Sequence, residues 1–213
     1  MPLFADAQLL TEADLRTGDL LFQDLDCGPL CDAIEKVTPG YRGAEVTHVG
    51  LVVVGDDGVT VLEAIGAAVQ ETPLEKFLGR TRDAAGNSKV FAERLRWRHR
   101  HLIPEAVTTA RSLIGRPYDD RFIGGIAQLY CSELVLWSWQ VANGGEPVLP
   151  LLEMTFTDPT TGLIFPPWQA YFDSMGLPVP EGAPGSNPGN LSMSPMLRWI
   201  GAFGELDRSG GEG

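Results

Sequence analysis

The sequence predicts an α+β protein built on an antiparallel sheet. Residues 46–72 read as a strand meander: two apolar runs joined by Gly55-Asp56-Asp57-Gly58, a hairpin turn signal, then a third short run. Two segments carry helix punctuation. Pro104 opens and Gly115 closes one, and Asn143-Gly144-Gly145 closes the other. The order is therefore helix, strand meander, strand, helix, helix, and a proline-rich wrap.

Taken along the chain, Thr11 caps a short helical start at 11–14. Gly18-Asp19-Leu20-Leu21-Phe22-Gln23 is a short strand after a turn. Residues 27–37 read as a helix: Pro29 suits a first turn, and Leu30, Ala33, Ile34 and Val37 form an apolar stripe. The meander strands span 46–54, 59–65 and 68–72, and Pro73 then opens a short helix through Leu78. Residues 79–88 are polar and turn-rich, a surface loop. Residues 89–101 alternate and read as a strand. Helices follow at 104–114 and 131–142. Residues 147–190 hold most of the proline, with Phe156, Phe165, Trp168, Tyr171 and Phe172. That is too aromatic for a disordered linker, so 143–203 is expected to wrap the domain irregularly and wall the site. Residues 191–203 are expected to pack back as a last short element, with 207–213 as a frayed tail. One domain over 1–206 is the expected organisation.

Bulk properties narrow the function. A chain of 213 residues, 44% hydrophobic and 21% charged, can bury one good core. A net charge of −12 argues against a general nucleic-acid binder, which needs a basic surface. Met1-Pro2-Leu3-Phe4-Ala5-Asp6 shows no basic and no apolar stretch of a secretory signal, and no apolar run approaches the roughly 18 residues of a membrane span. A cytoplasmic location is expected. The three cysteines are sparse and odd in number, so reduced thiols are expected. Cys27 and Cys31 share one helix face, but a metal would need two further ligands and no second pair exists. No metal or cofactor is expected.

Arg94-Leu95-Arg96-Trp97-Arg98-His99-Arg100-His101 is a basic stripe on an acidic chain. It reads either as a solvated edge strand that resists aggregation or as a docking site for an anionic substrate or lipid headgroup.

The residues with most chemistry are Cys131, His48 and Glu63. Cys131 sits at the start of the helix that begins after Leu129-Tyr130, behind a loop running from Gly115 to Gly125. A thiol just inside a helix start faces the positive end of the helix dipole, which favours an anionic, nucleophilic sulfur. A lone cysteine on an apolar helix is otherwise an ordinary core residue. His48 lies in the apolar strand Thr47-His48-Val49-Gly50-Leu51-Val52-Val53-Val54, where Gly50 suggests open space beside it. If Gly55 and Gly58 flank a two-residue turn, Val54 lies opposite Val59 and Gly50 opposite Glu63. His48 and Glu63 then share a face, one diagonal step apart. Glu63 is the only charge on its strand, and a carboxylate there needs a partner. A helix-start cysteine, a strand histidine and a carboxylate to hold it form the pattern of papain-like thiol catalysis.

These residues carry a resemblance. Gly18-Asp19-Leu20-Leu21-Phe22, Thr47-His48-Val49-Gly50-Leu51-Val52, Leu62-Glu63-Ala64, Gly115-Arg116-Pro117-Tyr118-Asp119 with Phe122, and Tyr130-Cys131-Ser132-Glu133-Leu134 occur in this order. The set resembles the NlpC-like papain-fold cysteine hydrolases, in the circularly permuted YiiX/YebB-like branch, where histidine precedes cysteine. Asn187-Pro188-Gly189-Asn190-Leu191-Ser192 is similar to that branch's closing segment. The resemblance implies Cys131 as nucleophile, His48 as general base and Glu63 as the residue orienting His48. It also implies a Cys131 backbone N–H in an oxyanion hole, and substrate contacts at Tyr118 and Tyr130. Tyr130 stands where many unpermuted members carry aspartate, which leaves specificity more open. The implied activity is cleavage of an amide or ester through an acyl-thioester. The substrate is either a cell-wall-type peptide or, alternatively, a lipid-like acyl group handled by a hydrolase or acyltransferase. A non-catalytic binding module on the same fold is the remaining reading. The sequence leaves the oligomeric state open.

Overall fold

The computed structural model describes residues 9–149 and 151–208. The reading of Met1-Pro2-Leu3-Phe4-Ala5-Asp6 and the last five positions of the expected tail lie outside the described residues. The elements in chain order are β1 (Asp19–Gln23), α1 (Pro29–Val37), β2 (His48–Gly55), β3 (Gly58–Ile65), β4 (Ala68–Pro73), α2 (Leu74–Leu78) and β5 (Val90–Leu95). Then come α3 (Ile103–Ser112), α4 (Cys131–Ala142), β6 (Leu152–Glu153), α5 (Pro166–Ser174), β7 (Pro184–Gly185), α6 (Pro188–Ser192) and β8 (Leu197–Ala202).

Six strands form one sheet in the order β4-β3-β2-β1-β5-β8, and every ladder is antiparallel. The β2–β3 hairpin has the expected two-residue turn: Gly55 pairs with Gly58 and Val54 with Val59. Gly58 takes φ +119°, a conformation that side chains rarely adopt. Side chains alternate between faces with period two. Leu20, Phe22, Val49, Leu51 and Leu62 pack with Val107 and Ala110 of α3 and Leu134, Val135 and Trp139 of α4. Leu21, Val52, Val61, Val90 and Ala92 pack with Leu74 and Phe77 of α2. Each large side chain fully buried this way contributes about 1.5–3 kcal/mol. This double-sided burial fixes α4, and with it Cys131, against the strands carrying His48 and Glu63.

The β2–β3 register and the helix ending at Ala142 match the sequence reading, and other elements differ. The expected 89–101 strand stops at Leu95, and Trp97–Leu102 is a 3₁₀ turn. Nor is β5 an edge, since β8 pairs along its outer side, with Arg94 opposite Arg198. Arg94 is buried, and its guanidinium forks onto Asp19 at 2.6 and 2.8 Å. A burial this deep needs such a bidentate partner, and that partner is too distant in sequence for local alternation to reveal it.

The expected irregular wrap contains two helices and the sixth strand of the main sheet. Phe156, Trp168 and Phe172 pack with Met154 against Ala33 and Val37 of α1, and the Trp168 indole N–H donates to the Ala33 carbonyl at 3.0 Å. The start of the expected tail is tied down as well. The Glu45 N–H donates to the Asp207 carbonyl at 2.9 Å, and the Asp207 carboxylate lies 3.0 Å from the Lys89 ammonium.

The cysteine expectation is overturned: Cys27 and Cys31 form a disulfide. Cys27 precedes the cap residue Gly28 and Cys31 lies one turn on, with Cα atoms 5.3 Å apart, inside the usual 4.4–6.8 Å disulfide range. The cysteine count ignores this spacing. Structural disulfides persist in oxidising compartments, so this bond removes one support for the cytoplasmic expectation. The space expected at Gly50 is also absent, because a side chain there would run into Val61 and meet Phe77 at 3.3 Å. Gly50 is where the facing strand and α2 close on the sheet.

Candidate active site

His48 opens β2 and is 3% exposed, while Glu63 on β3 is fully buried. The hairpin register places them diagonally on one face, and His48 Nε2 lies 2.6 Å from Glu63 Oε2. Cys131 is close enough to His48 to act on the charge of the imidazole. Cys131 is the first residue of α4, 5% exposed and the only free cysteine. Helix geometry leaves the first-turn N–H groups of α4 without intrahelical acceptors, and they point out of the helix start beside the sulfur.

Glu63 is held by more than His48. Both terminal Arg80 guanidinium nitrogens donate to its carboxylate, Nη1 to Oε2 at 2.7 Å and Nη2 to Oε1. The Thr72 hydroxyl donates to Oε1 at 2.5 Å. Arg80 is in turn stacked on the Phe77 ring, its guanidinium carbon 5.0 Å from the centroid. Sequence reasoning missed Arg80, which sits in the segment read as a surface loop. The signal that could have found it is the buried charge on β3 itself, which demands a cation as well as a histidine.

These contacts set the charge states. Burial opposes ionisation of Glu63, but hydrogen bonds from Arg80 and His48, the His48 charge and the Thr72 bond hold its pKa down to about 2. Burial also opposes a charged His48, but hydrogen bonds to Cys131 and Glu63 and their negative charge outweigh it and raise its pKa to about 9. At neutral pH the site therefore holds a carboxylate beside an imidazole that retains a proton.

Tyr118 and Tyr130 both line the cleft in front of Cys131. Burial, followed by the Cys131 charge, pushes the Tyr118 phenol well above its ordinary pKa. Tyr130 is raised by burial and then by Glu133, and its hydroxyl accepts the Ser186 N–H at 3.2 Å. Both stay neutral phenols. The rest of the cleft comes from Ile34, Val37, Phe122, Met154, Phe156 and Trp168, with Ser186, Asn187 and Pro188 closing one side. The wrap does wall this cleft, and the cleft offers about 50 Å³ with no carboxylate or amine in its wall among the described residues.

A second ionic cluster lies away from it. Asp24, Asp26 and Asp207 converge on the Lys89 ammonium at 2.9, 2.7 and 3.0 Å, so a lysine supplies the cation there.

A buried cysteine at a helix start, packed on an antiparallel sheet that presents a histidine–carboxylate pair, is the arrangement of papain-like thiol hydrolases. The chain belongs to the permuted papain-like amidases of the YaeF/YiiX, C92 family, whose profile matches residues 14–201. It is thus a cysteine-type amidase by family. Among solved structures it is similar to one titled metalloprotein YiiX from Escherichia coli O157:H7. That match has 23% identity and a TM-score of 0.71, and covers 89% of this chain and 98% of the other. At this identity the likeness establishes the shared fold. No curated protein matches the sequence.

Proposed function

We propose that Cys131, His48 and Glu63 are the catalytic residues of an amidase that works through an acyl-thioester, with peptides bearing small apolar side chains as substrates. The observation that carries this reading is the buried His48–Glu63–Arg80 chain beside Cys131, whose side chain lines an apolar cleft. His48 already holds the proton of the Cys131–His48 pair, and the sulfur attacks the substrate carbonyl. The Cys131 backbone N–H and its first-turn neighbours hold the oxyanion. His48 returns the proton to the departing amine as the C–N bond breaks, leaving the acyl group on sulfur. His48 then takes a proton from water, which attacks the thioester and releases acid and free thiol. Glu63 keeps the imidazole oriented and stabilises its charge, and Arg80 and Thr72 keep Glu63 ionised.

Cleft size supports a short acyl side. About 10–15 Å³ holds one water-sized group, so 50 Å³ admits a few heavy atoms and not a long alkyl chain. The absence of a charged wall residue favours an apolar side chain such as alanine's, as in cell-wall-type peptides, over an acidic or basic one. The test is Cys131→Ala assayed on alanine-containing peptide amides and on short- and long-chain acyl esters. The variant should keep its circular dichroism and melting temperature and lose more than about a thousandfold in turnover. Retained turnover would refute the mechanism, and a wild-type preference for long acyl chains would refute the substrate reading.

A further inference from the structure

The mechanism leaves the basic stripe unused, and the structure shows where it goes. At the outer edge of the sheet, beyond β1, three segments converge. Arg94 and Arg198 are strand partners across β5 and β8. The Arg96 backbone N–H and Nε donate to the Met196 and Pro195 carbonyls, which ties the 3₁₀ turn to the start of β8. Arg16, Arg94 and Arg198 line one groove of about 330 Å³, together with Asp14 and the apolar side chains of Leu10, Ala13 and Ile200. The segments 14–19 and 94–101 and the residue Arg198 carry six arginines against two aspartates, on a chain whose net charge is −12. One aspartate, Asp19, is consumed by Arg94, and Thr11 donates to the other, Asp14. Among the described residues, Arg16, Arg96, Arg98, Arg100 and Arg198 have no carboxylate within ion-pair distance. Burial and the neighbouring charges of Arg94, Arg100 and Arg16 lower the pKa of Arg198, the mark of cations gathered without enough anions.

Trp97 lies between Arg96 and Arg98 at the start of the 3₁₀ turn and is 74% exposed, far more than any other tryptophan here. Arg98 lies over its ring at 5.5 Å. An indole left in water is unfavourable, and an indole flanked by arginines is the composition that settles at a membrane–water interface. A polyanion without bases or acyl chains would use the arginines alone, and a net charge of −12 opposes nucleic acid, whereas the bilayer interface accounts for the tryptophan as well.

We propose that this surface, Trp97 with Arg16, Arg96, Arg98, Arg100 and Arg198, docks the protein on a membrane rich in anionic phospholipid. His48 and Glu63 lie on β2 and β3, on the other side of β1 from the docking strands β5 and β8. Docking is therefore independent of the chemistry proposed above, and loss of one leaves the other intact.

The experiment is co-sedimentation of the full chain with vesicles of phosphatidylcholine alone and of phosphatidylcholine with phosphatidylglycerol, at low and high salt. Wild-type protein should partition onto the anionic vesicles only, and less at high salt. The variant Arg16→Gln/Arg98→Gln/Arg198→Gln should lose about a hundredfold in partition coefficient, given the attraction per arginine at an anionic surface. Trp97→Ala should weaken binding without changing its salt dependence. Both variants should cleave a soluble substrate at the wild-type rate, which shows that they are folded. Equal binding to both vesicle types, or none, overturns the proposal. Binding to heparin with no binding to anionic vesicles assigns the patch to a soluble polyanion and overturns it equally.

Discussion

Replacing Arg80 by glutamine tests whether the site is built as an ion chain. In the protein the Glu63 carboxylate is fully buried and the Arg80 side chain is 18% exposed. Removing one partner of a buried pair costs about 3–5 kcal/mol, and the partial exposure of Arg80 points to the lower end. The charge states lead to a similar figure. Glu63 moves from an ordinary 4.5 to about 2 in the fold, and at about 1.4 kcal/mol per pKa unit this is worth about 3 kcal/mol, shared among Arg80, His48 and Thr72. The sign follows from the depressed pKa: this stability is present above pH 4.5 and is lost as pH falls toward 2. Arg80→Gln should lower the melting temperature at pH 7 by about 6–12 °C for a chain this size. It should also move the acid loss of stability to higher pH, and raise the acid limb of kcat/KM with it. Arg80→Lys, a point charge without the fork, should recover part of each. In a Glu63→Gln background the same substitution should cost little, because the carboxylate it serves is gone. The assay is thermal melting from pH 3 to 8 beside the pH–rate profile. A single variant melting within about 2 °C of wild type, with an unmoved acid limb, would refute the ion-chain account.

Two further outcomes test other parts of the fold. Glu93 on β5 is buried, its Oε2 has no hydrogen-bond partner among the described residues, and burial raises its pKa to about 8. A raised carboxyl pKa gives stability that is full below pH 4.5 and falls as pH climbs to about 8. Glu93→Gln should flatten that fall and stabilise the protein by up to about 3 kcal/mol at pH 7. Urea unfolding at pH 5 and pH 8 checks it, and an unchanged difference between the two would count against the assignment. Cys27→Ser/Cys31→Ser opens a loop of a few residues, for which chain entropy gives about 2 kcal/mol, or about 4–8 °C in melting temperature. Differential alkylation with and without reductant should show Cys27 and Cys31 protected together, and free thiols at both would refute the bond.

What was legible in the sequence follows from range. The His48–Glu63 pairing could be read because the Gly55-Asp56-Asp57-Gly58 turn fixes a local register and side chains alternate with period two. Cys131 could be placed because Asn143-Gly144-Gly145 stops its helix, and the order of the motifs tied the three together. Arg80 could not be read, because its importance arises only when the chain brings a polar loop under a buried carboxylate on another strand. Arg94 looked like a solvated charge for the same reason: its partner Asp19 is 75 positions away. A last short element at 191–203 could be read, but its pairing with β5 as β8 rests on contacts that no local period encodes. The Cys27–Cys31 bond was missed because the odd cysteine count was weighed above the one-turn spacing. The proposed site was thus legible in its reacting groups and illegible in the residues that hold them.

The central claim is that Cys131 carries the acyl group. Intact-mass and peptide analysis of the protein mixed with an activated short-chain ester, quenched early in the first turnover, tests it most directly. The account expects one acyl adduct, on Cys131, that decays as product appears and that fails to form in His48→Ala. An adduct on another residue, or turnover with no adduct in a Cys131→Ala protein that is as active as wild type, would contradict it.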